Sequence, residues 1–289
     1  SDETFADMYA QMNAQQVRAV NHSWGFTREP VSAAEQDANF YENPDYEDYF
    51  NIIGDGSRAN GMIQVCAAGN IYPYDTTPES APIAGVHATL PRVQADLEPY
   101  WLAVVNVDQD SVLAISSMRC GLAANWCLAA PGSDINSTVY GADSQLAGNV
   151  YPTGDNNDGV AFDVTVRMPT YAYDSMTGTS MAAPHVTGAL GLLFERFPYL
   201  DNAQVRDVLL TTATDLGAEG VDDVYGWGLM NLAKAIEGYG SLRVDTDVVM
   251  NQKAGGLKVW EGDAWDDWTN DIGGPGKLTK SGIGWLGLS

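Results

Sequence analysis

The 289-residue sequence predicts an α/β fold, a parallel sheet flanked by helices. Three observations carry that expectation. Short continuous apolar runs lie at 62–67, 101–107 and 128–130, and the first and last stop at breakers, Gly69-Asn70 and Pro131-Gly132. Strands apolar on both faces belong to parallel sheets covered by helices. Helical patterns are interspersed with these runs, which is the α/β signature. At 31.0 kDa and 45% apolar residues, the chain can also bury a large core without a dense disulfide framework.

Taken in order, residues 3–15 read as a helix. Phe5, Met8 and Met12 recur at helical spacing, and Asp2 is a reasonable N-cap. Residues 17–21 read as a strand ended by the turn Ser23-Trp24-Gly25. Residues 28–50 are acidic and aromatic without a clear period and read as a long loop. Residues 139–176, rich in Gly, Asp, Asn and Tyr, also read as loop, with a hairpin at 160–168. The clearest helix spans 180–197. It is apolar on nearly all sides and so predicted central and buried, with Pro184 in its first turns. Residues 201–213 form a second helix, opened by the capping-box pair Asp201 and Gln204, and 232–236 a short third.

The composition changes near residue 240. All five lysines lie at or beyond Lys234, and four of the eight tryptophans (Trp260, Trp265, Trp268, Trp285) lie in the last 30 residues. The tail alternates glycine, small and apolar residues, as do the rungs of a β-solenoid; a flexible linker has the same look. The predicted division is therefore 1–240 and 241–289. A net charge of −24 repels phosphate backbones and anionic lipid, which argues against nucleic-acid binding. No stretch reaches the ~18 continuous apolar residues of a membrane helix. No signal-peptide pattern and no initiating Met open the chain, so position 1 is expected to be a cut end. Among the three cysteines, Cys66 sits in an apolar run and is expected to be buried and inert. Cys120 and Cys127 bracket a short loop, which suits a local disulfide in an oxidising compartment or two free thiols in a reducing one.

The segment that carries chemistry is Gly178-Thr179-Ser180-Met181-Ala182-Ala183-Pro184-His185. A hydroxyl at the start of a buried helix sits among unpaired N–H groups and a positive dipole end, both of which stabilise developing negative charge. A serine N-cap has the same local look. The full string, however, resembles the nucleophile segment of the subtilisin-like serine proteases, the subtilases. Four further segments resemble that family in the same order: Val20-Asn21-His22-Ser23-Trp24-Gly25, Val65-Cys66-Ala67-Ala68-Gly69-Asn70, Leu128-Ala129-Ala130-Pro131-Gly132, and Tyr225-Gly226-Trp227-Gly228-Leu229-Met230-Asn231.

The resemblance implies a subtilisin-like sheet, here its C-terminal portion, and acyl-transfer chemistry. Ser180 would be the nucleophile, and Asn70 with the Ser180 N–H the oxyanion donors. Ser23, Trp24 and Gly25 would form one wall of the substrate cleft; Ala68, Gly69 and Thr179 would also bind substrate. The run from Met118 to Gly132, with Cys120 and Cys127, looks like the cysteine-bearing version found in autotransporter subtilases of Gram-negative bacteria. That narrower likeness implies a Cys120–Cys127 disulfide, an extracellular or cell-surface location, a β-solenoid stem beginning near 241, and an outer-membrane barrel beyond this chain.

The family's upstream Asp and His segments are absent from this sequence. None of His22, His87 and His185 is expected to be the general base. His185 lies five residues past Ser180, roughly 140° around the helix, and is expected to be a buried structural residue. The implied partners are protein or peptide substrates and an N-terminal portion supplying Asp and His. The competing expectation is an inactive, adhesin-like passenger, and a third is a piece unable to fold alone. No cofactor is required. Calcium suits the oxygen-rich run Gly154–Gly159, although its spacing matches no calcium motif and an ordinary turn is favoured.

Overall fold

In the computed structural model, which describes residues 2–26, 32–71, 83–140, 171–255 and 264–289, the chain opens with α1 (Asp2–Ala14) and β1 (Ala19–His22). Asp2 lies within the helix rather than before it. Next come α2 (Ala33–Gln36), a π-helical turn (Asp37–Tyr41), a 3-10 turn (Pro44–Tyr46) and α3 (Glu47–Asn60). The expected loop at 28–50 is therefore largely helical over its described part. Beyond residue 50, α3 carries Gly54 and Gly56, which look like breakers in the sequence. Their real role is close packing: a Cβ on Gly56 would lie 2.2 Å from the Tyr9 ring of α1.

Strands β2 (Ile63–Ala67), β3 (Trp101–Val107) and β4 (Cys127–Pro131) complete a four-stranded parallel sheet in the order β1-β2-β3-β4. Its residues divide by alternate side. Ile63, Val65, Leu102, Val104 and Leu128 face one core, and Cys66, Trp101, Ala103, Val105 and Cys127 face the other. This double burial is why the strands read as continuous apolar runs. The expected parallel sheet with helices on it is thus present. β1 is an edge strand: among the described residues, nothing pairs with its outer side. Residues 227–230 run along the outer side of β4, where Ala129 N donates to Gly228 O at 2.8 Å and Met230 N to Ala129 O at 2.9 Å.

β5 (Ile135–Tyr140) and β6 (Tyr171–Met176) pair antiparallel. The ends of the expected loop at 139–176 are therefore strand. The partners lie so far apart in sequence that no local turn signal links them. The expected hairpin at 160–168 and the run Gly154–Gly159 lie outside the described residues.

Helix α4 (Thr179–Arg196) lies across the sheet, followed by α5 (Asn202–Thr211) and α6 (Leu232–Ala235). The capping box of α5 is formed on both sides: Gln204 N donates to Asp201 Oδ1 and Asp201 N to Gln204 Oε1.

Beyond residue 240 come β7 (Thr246–Val249), β8 (Trp265–Trp268), β9 (Leu278–Ser281) and β10 (Trp285–Leu288), in two parallel pairs, β7 with β9 and β8 with β10. Leu242, Val248, Met250 and Trp268 join the same core as α4 and α5. Two buried ionic clusters fasten this region. The two Nη atoms of Arg196 each donate to Asp266 at 2.7 Å, and Tyr199 OH donates to the same carboxylate. Arg206, fully buried, and Arg243 both bind Glu98 and Asp207. Burial pushes the Glu98 carboxyl up, but Arg206 and Arg243 outweigh it and hold the group below its ordinary range.

Candidate active site

The site forms where the C-terminal ends of β1 and β2 meet the N-terminus of α4. Two glycines permit the approach. Gly178 N donates to Gly132 O at 2.9 Å. A Cβ on Gly132 would lie 2.6 Å from both Gly178 O and Asn106 Oδ1, so the turn after Pro131 requires glycine. Gly228, at φ +103, likewise lies against Thr214 O, 2.1 Å from where its Cβ would be.

Ser180 stands in the first turn of α4, where backbone N–H groups have no carbonyl four residues back within the helix. Asn70 sits just past β2, beside it. Asn70 Oδ1 accepts from Thr179 N at 3.0 Å and from Thr179 Oγ1 at 3.3 Å. Gly69 N donates in turn to Thr179 Oγ1 at 3.2 Å. The oxygen of the Asn70 carboxamide is thereby fixed, while among the described residues no group accepts from its Nδ2. A second lock comes from proline. Pro184 has no N–H to give the carbonyl of Ser180, four residues earlier. The Ser23 hydroxyl takes that place, donating to Ser180 O at 2.7 Å, and Ser180 Oγ donates back to Ser23 O at 3.2 Å. Ser23 is thus tied to the backbone of Ser180.

Ser180 borders two cavities. One, of about 230 Å³, is also lined by Trp24, Gly25, Phe26, Ala67, Gly69, Asn70, Gly85, His87 and Thr179. The other, of about 450 Å³, lies toward β5 and β6 and includes Asn136, Asp174, Met181 and His185. Ala68 does not line the cleft. It is fully buried beneath it, with its N–H on Val104 O and its carbonyl on Gly85 N.

None of the three histidines bonds Ser180. His22 is buried, and its Nε2 donates to Gln64 Oε1 at 2.6 Å. Tyr9 OH donates to the same oxygen. Burial lowers the His22 pKa against the opposing bond to Gln64. His185, expected to be buried, is exposed. Its position turns it away from the sheet-facing residues Ala182, Ala183 and Val186, and its Nδ1 donates to Met181 O at 2.8 Å. His87 is the residue that sequence reasoning underrated. It is no base for Ser180, yet it lines the same cavity. The only local signal is a histidine set inside the small, apolar run Ala84–Leu90. Burial, with a smaller contribution from His22, lowers its pKa to about 3, so it is neutral near pH 7.

The sulfurs of Cys120 and Cys127 are bonded, with Cα atoms 5.8 Å apart. Cys66 is buried and unpaired, and burial pushes its thiol pKa up, against a weaker lowering bond from Trp101. Among the described residues no group of three or more His, Cys, Asp or Glu side chains could hold a metal ion, and no helix is long and apolar enough to cross a membrane.

Comparison with known proteins identifies the family. The chain is 35% identical over 255 residues to an extracellular serine protease of Serratia marcescens, covering 79% of this chain and 23% of that protein. It is 26% identical over 305 residues to the autotransporter lipoprotein NalP of Neisseria meningitidis serogroup B, covering 95% of this chain and 24% of that protein. It therefore spans about a quarter of the length of the curated relatives it matches. Among solved structures it resembles fervidolysin from Fervidobacterium pennivorans, a keratinolytic enzyme related to subtilisin, at 25% identity and a TM-score of 0.51. That match covers 86% of this chain and 31% of fervidolysin. The Subtilase family profile matches residues 1–228, the part that holds Ser180, Asn70 and the parallel sheet, and the chain belongs to that family of serine proteases.

Proposed function

We propose that this chain carries the nucleophile and oxyanion site of a secreted or surface-displayed serine endopeptidase. The observation that carries the reading is convergence. The Ser180 hydroxyl and the Asn70 carboxamide, held by its oxygen so that its N–H₂ remains unspent, line one cleft at a helix N-terminus. Ser180 Oγ attacks the peptide carbonyl, and the Ser180 N–H with Asn70 Nδ2 holds the oxyanion. Ser23-Trp24-Gly25 receives the peptide as an added strand. The larger cavity on the far side of Ser180 takes the leaving-group side.

The general base and its orienting carboxylate come from an N-terminal portion that this chain does not contain. The open edge of β1 supports this, since a preceding parallel strand would pair there and end close to Ser23. The parallel pairings of β7 with β9 and β8 with β10 support residues 241–289 as the start of a β-solenoid stem. The likeness to NalP supports an outer-membrane barrel beyond it. The chemistry requires no cofactor, and calcium, if bound, would be structural. A second reading, an inactive adhesin-like passenger, is favoured by the lack of any imidazole on Ser180 among the described residues.

Labelling with a fluorophosphonate separates the two. The full-length protein should label, its Ser180→Ala variant should not, and hydrolysis in that variant should fall by about 10⁶-fold. The isolated chain should label little. An unlabelled full-length protein would establish the inactive passenger.

A further inference from the structure

We infer that Asn21 and Ser23 of β1 form a polar strap that positions Ser180, replacing the helical bond that Pro184 cannot make. The inference rests on Ser180 being the nucleophile, since only then does its placement govern a rate. Residues 180, 184 and 187 fall on one face of α4, and that face meets β1. Pro184 has no N–H for Ser180 O, and its ring crowds that carbonyl out of the helical line.

Three bonds bridge the interruption. Thr187 Oγ1 donates to Asn21 Oδ1 at 3.3 Å, sharing its proton with Ala183 O at 3.2 Å. Asn21 Nδ2 donates to Ser23 Oγ at 2.8 Å. Ser23 Oγ donates to Ser180 O at 2.7 Å. The direction of each bond follows from the groups present. Thr187 offers a proton, so the Asn21 carboxamide turns its oxygen there and its N–H₂ to Ser23. That N–H₂ occupies a lone pair of the Ser23 hydroxyl and leaves the single hydroxyl proton for Ser180 O. Asn21 thus orients Ser23, and Ser23 holds Ser180. His22, between them, points to the opposite side of the strand, where its Nε2 donates to Gln64 Oε1 at 2.6 Å. The strand is held on both sides.

An unbroken helix would set its first turn by its own bonds. Here β1 sets it. The same strand runs into Ser23-Trp24-Gly25, the proposed wall of the substrate cleft, so the nucleophile and that wall are fixed to one another. Reacting atoms need such a shared reference, because a misplacement of about 1 Å costs about 10²-fold in rate. The strap takes only the carbonyl of Ser180 and leaves its N–H to an oxyanion. Asn21 and Ser23 are therefore positioning residues that act through the backbone of Ser180.

The test is a double-mutant cycle in the full-length protein. Ser23→Ala removes the last bond of the strap, and should lower kcat by about 10- to 10²-fold with KM within about twofold. Ser23→Thr keeps the hydroxyl and should retain most of the rate. In a Pro184→Ala parent, the restored N–H can reach Ser180 O, and there Ser23→Ala should change kcat by less than about twofold. The unfolding constant in urea, which requires no catalysis, should show the same coupling: about tenfold or more for Ser23→Ala beside Pro184, and close to one beside Ala at that position. Should Ser23→Ala fail to fold, Asn21→Leu, which leaves the hydroxyl but not its orientation, supplies the same comparison. Equal losses in both parents overturn the strap. A variant that loses stability while the folded protein keeps its kcat makes the bonds merely structural and overturns the positioning role. Coupling in the unfolding constant without hydrolysis by the wild type would overturn the endopeptidase reading and leave the strap supported.

Discussion

The two ends of α4 treat polar groups in opposite ways. At the C-terminal end, Arg196 is bound bidentately by Asp266, and Tyr199 OH donates to that carboxylate. Trp268 Nε1 donates to Tyr199 OH at 2.9 Å, and the guanidinium lies 4.4 Å from the Phe197 ring centroid. The bonding capacity there is spent within the protein. At the N-terminal end, the Ser180 N–H, Asn70 Nδ2 and His87 Nδ1 retain theirs among the described residues, and all three residues line one cavity. The same helix is thus anchored where its polar network is closed and, on the proposed reading, reactive where it is open. A closed network in a low-dielectric interior fixes geometry, whereas an open one awaits a ligand.

If the closed end is an anchor, breaking it should cost stability and leave the chemistry alone. Asp266 is fully buried, and Asp266→Asn keeps its shape while leaving the Arg196 guanidinium without a counter-charge. Loss of one partner of a buried pair typically costs about 3–5 kcal/mol. Urea denaturation should show a loss of that order, with kcat/KM of the folded full-length protein unchanged. Replacing both partners, Arg196→Met with Asp266→Leu, should recover most of it. A loss below about 1 kcal/mol in Asp266→Asn would mean that the contact is incidental to the anchoring of residues 241–289.

At the open end the expected effect is in rate. Removing one oxyanion donor costs about 10²–10³ in kcat. Asn70→Ala removes the donor but also the oxygen that receives Thr179 N and Oγ1. Asn70→Asp keeps an acceptor there and removes only the N–H₂, so it should lose at least as much. Activity restored by Asn70→Asp would show that Asn70 merely positions Thr179. Asn70→Asp, which keeps the acceptor, should leave the urea midpoint nearly unchanged, whereas Asn70→Ala should lower stability by about 1–3 kcal/mol, because it leaves the buried Thr179 N–H without a partner.

The contrast also marks what was legible beforehand. Ser180, Asn70 and the Pro131-Gly132 turn stand in strings whose chemistry constrains consecutive residues: the missing N–H of Pro184 frees the Ser180 carbonyl, and only glycine fits at 132. Strands β2 to β4 were legible because both faces are buried. By contrast, α3 was hidden by glycines that serve its packing on Tyr9, and β5 with β6 by the distance between partners. The role of His87 was illegible because its neighbours Trp24, Phe26 and Tyr49 come from segments far from it in sequence. The ionic clusters on Arg196 and Arg206 were hidden for the same reason. Long-range polar pairing leaves no local period.

The smallest effect separates the two ends by acidity. His22 and His87 are buried neutral beneath the cleft, and the pKa of each is lowered in the folded chain. The unfolded chain, with imidazoles near 6.5, therefore binds more protons below that pH. Their contribution to stability is fully present above 6.5 and is lost as pH falls toward the folded value, about 3 for His87. Between pH 7 and pH 5, His87 alone should withdraw about 2 kcal/mol, in a window above the ordinary carboxylate range. The groups around it include His22 and the phenol of Tyr49, neither of which carries a compensating negative charge at these pH values. His87→Phe removes the titrating ring and keeps the aromatic packing. The difference in urea stability between pH 7 and pH 5 should accordingly shrink by about 2 kcal/mol in that variant. An equal loss in wild type and variant would place the acid-sensitive group elsewhere, and the cleft end of α4 would then be no more sensitive to acid than its anchored end.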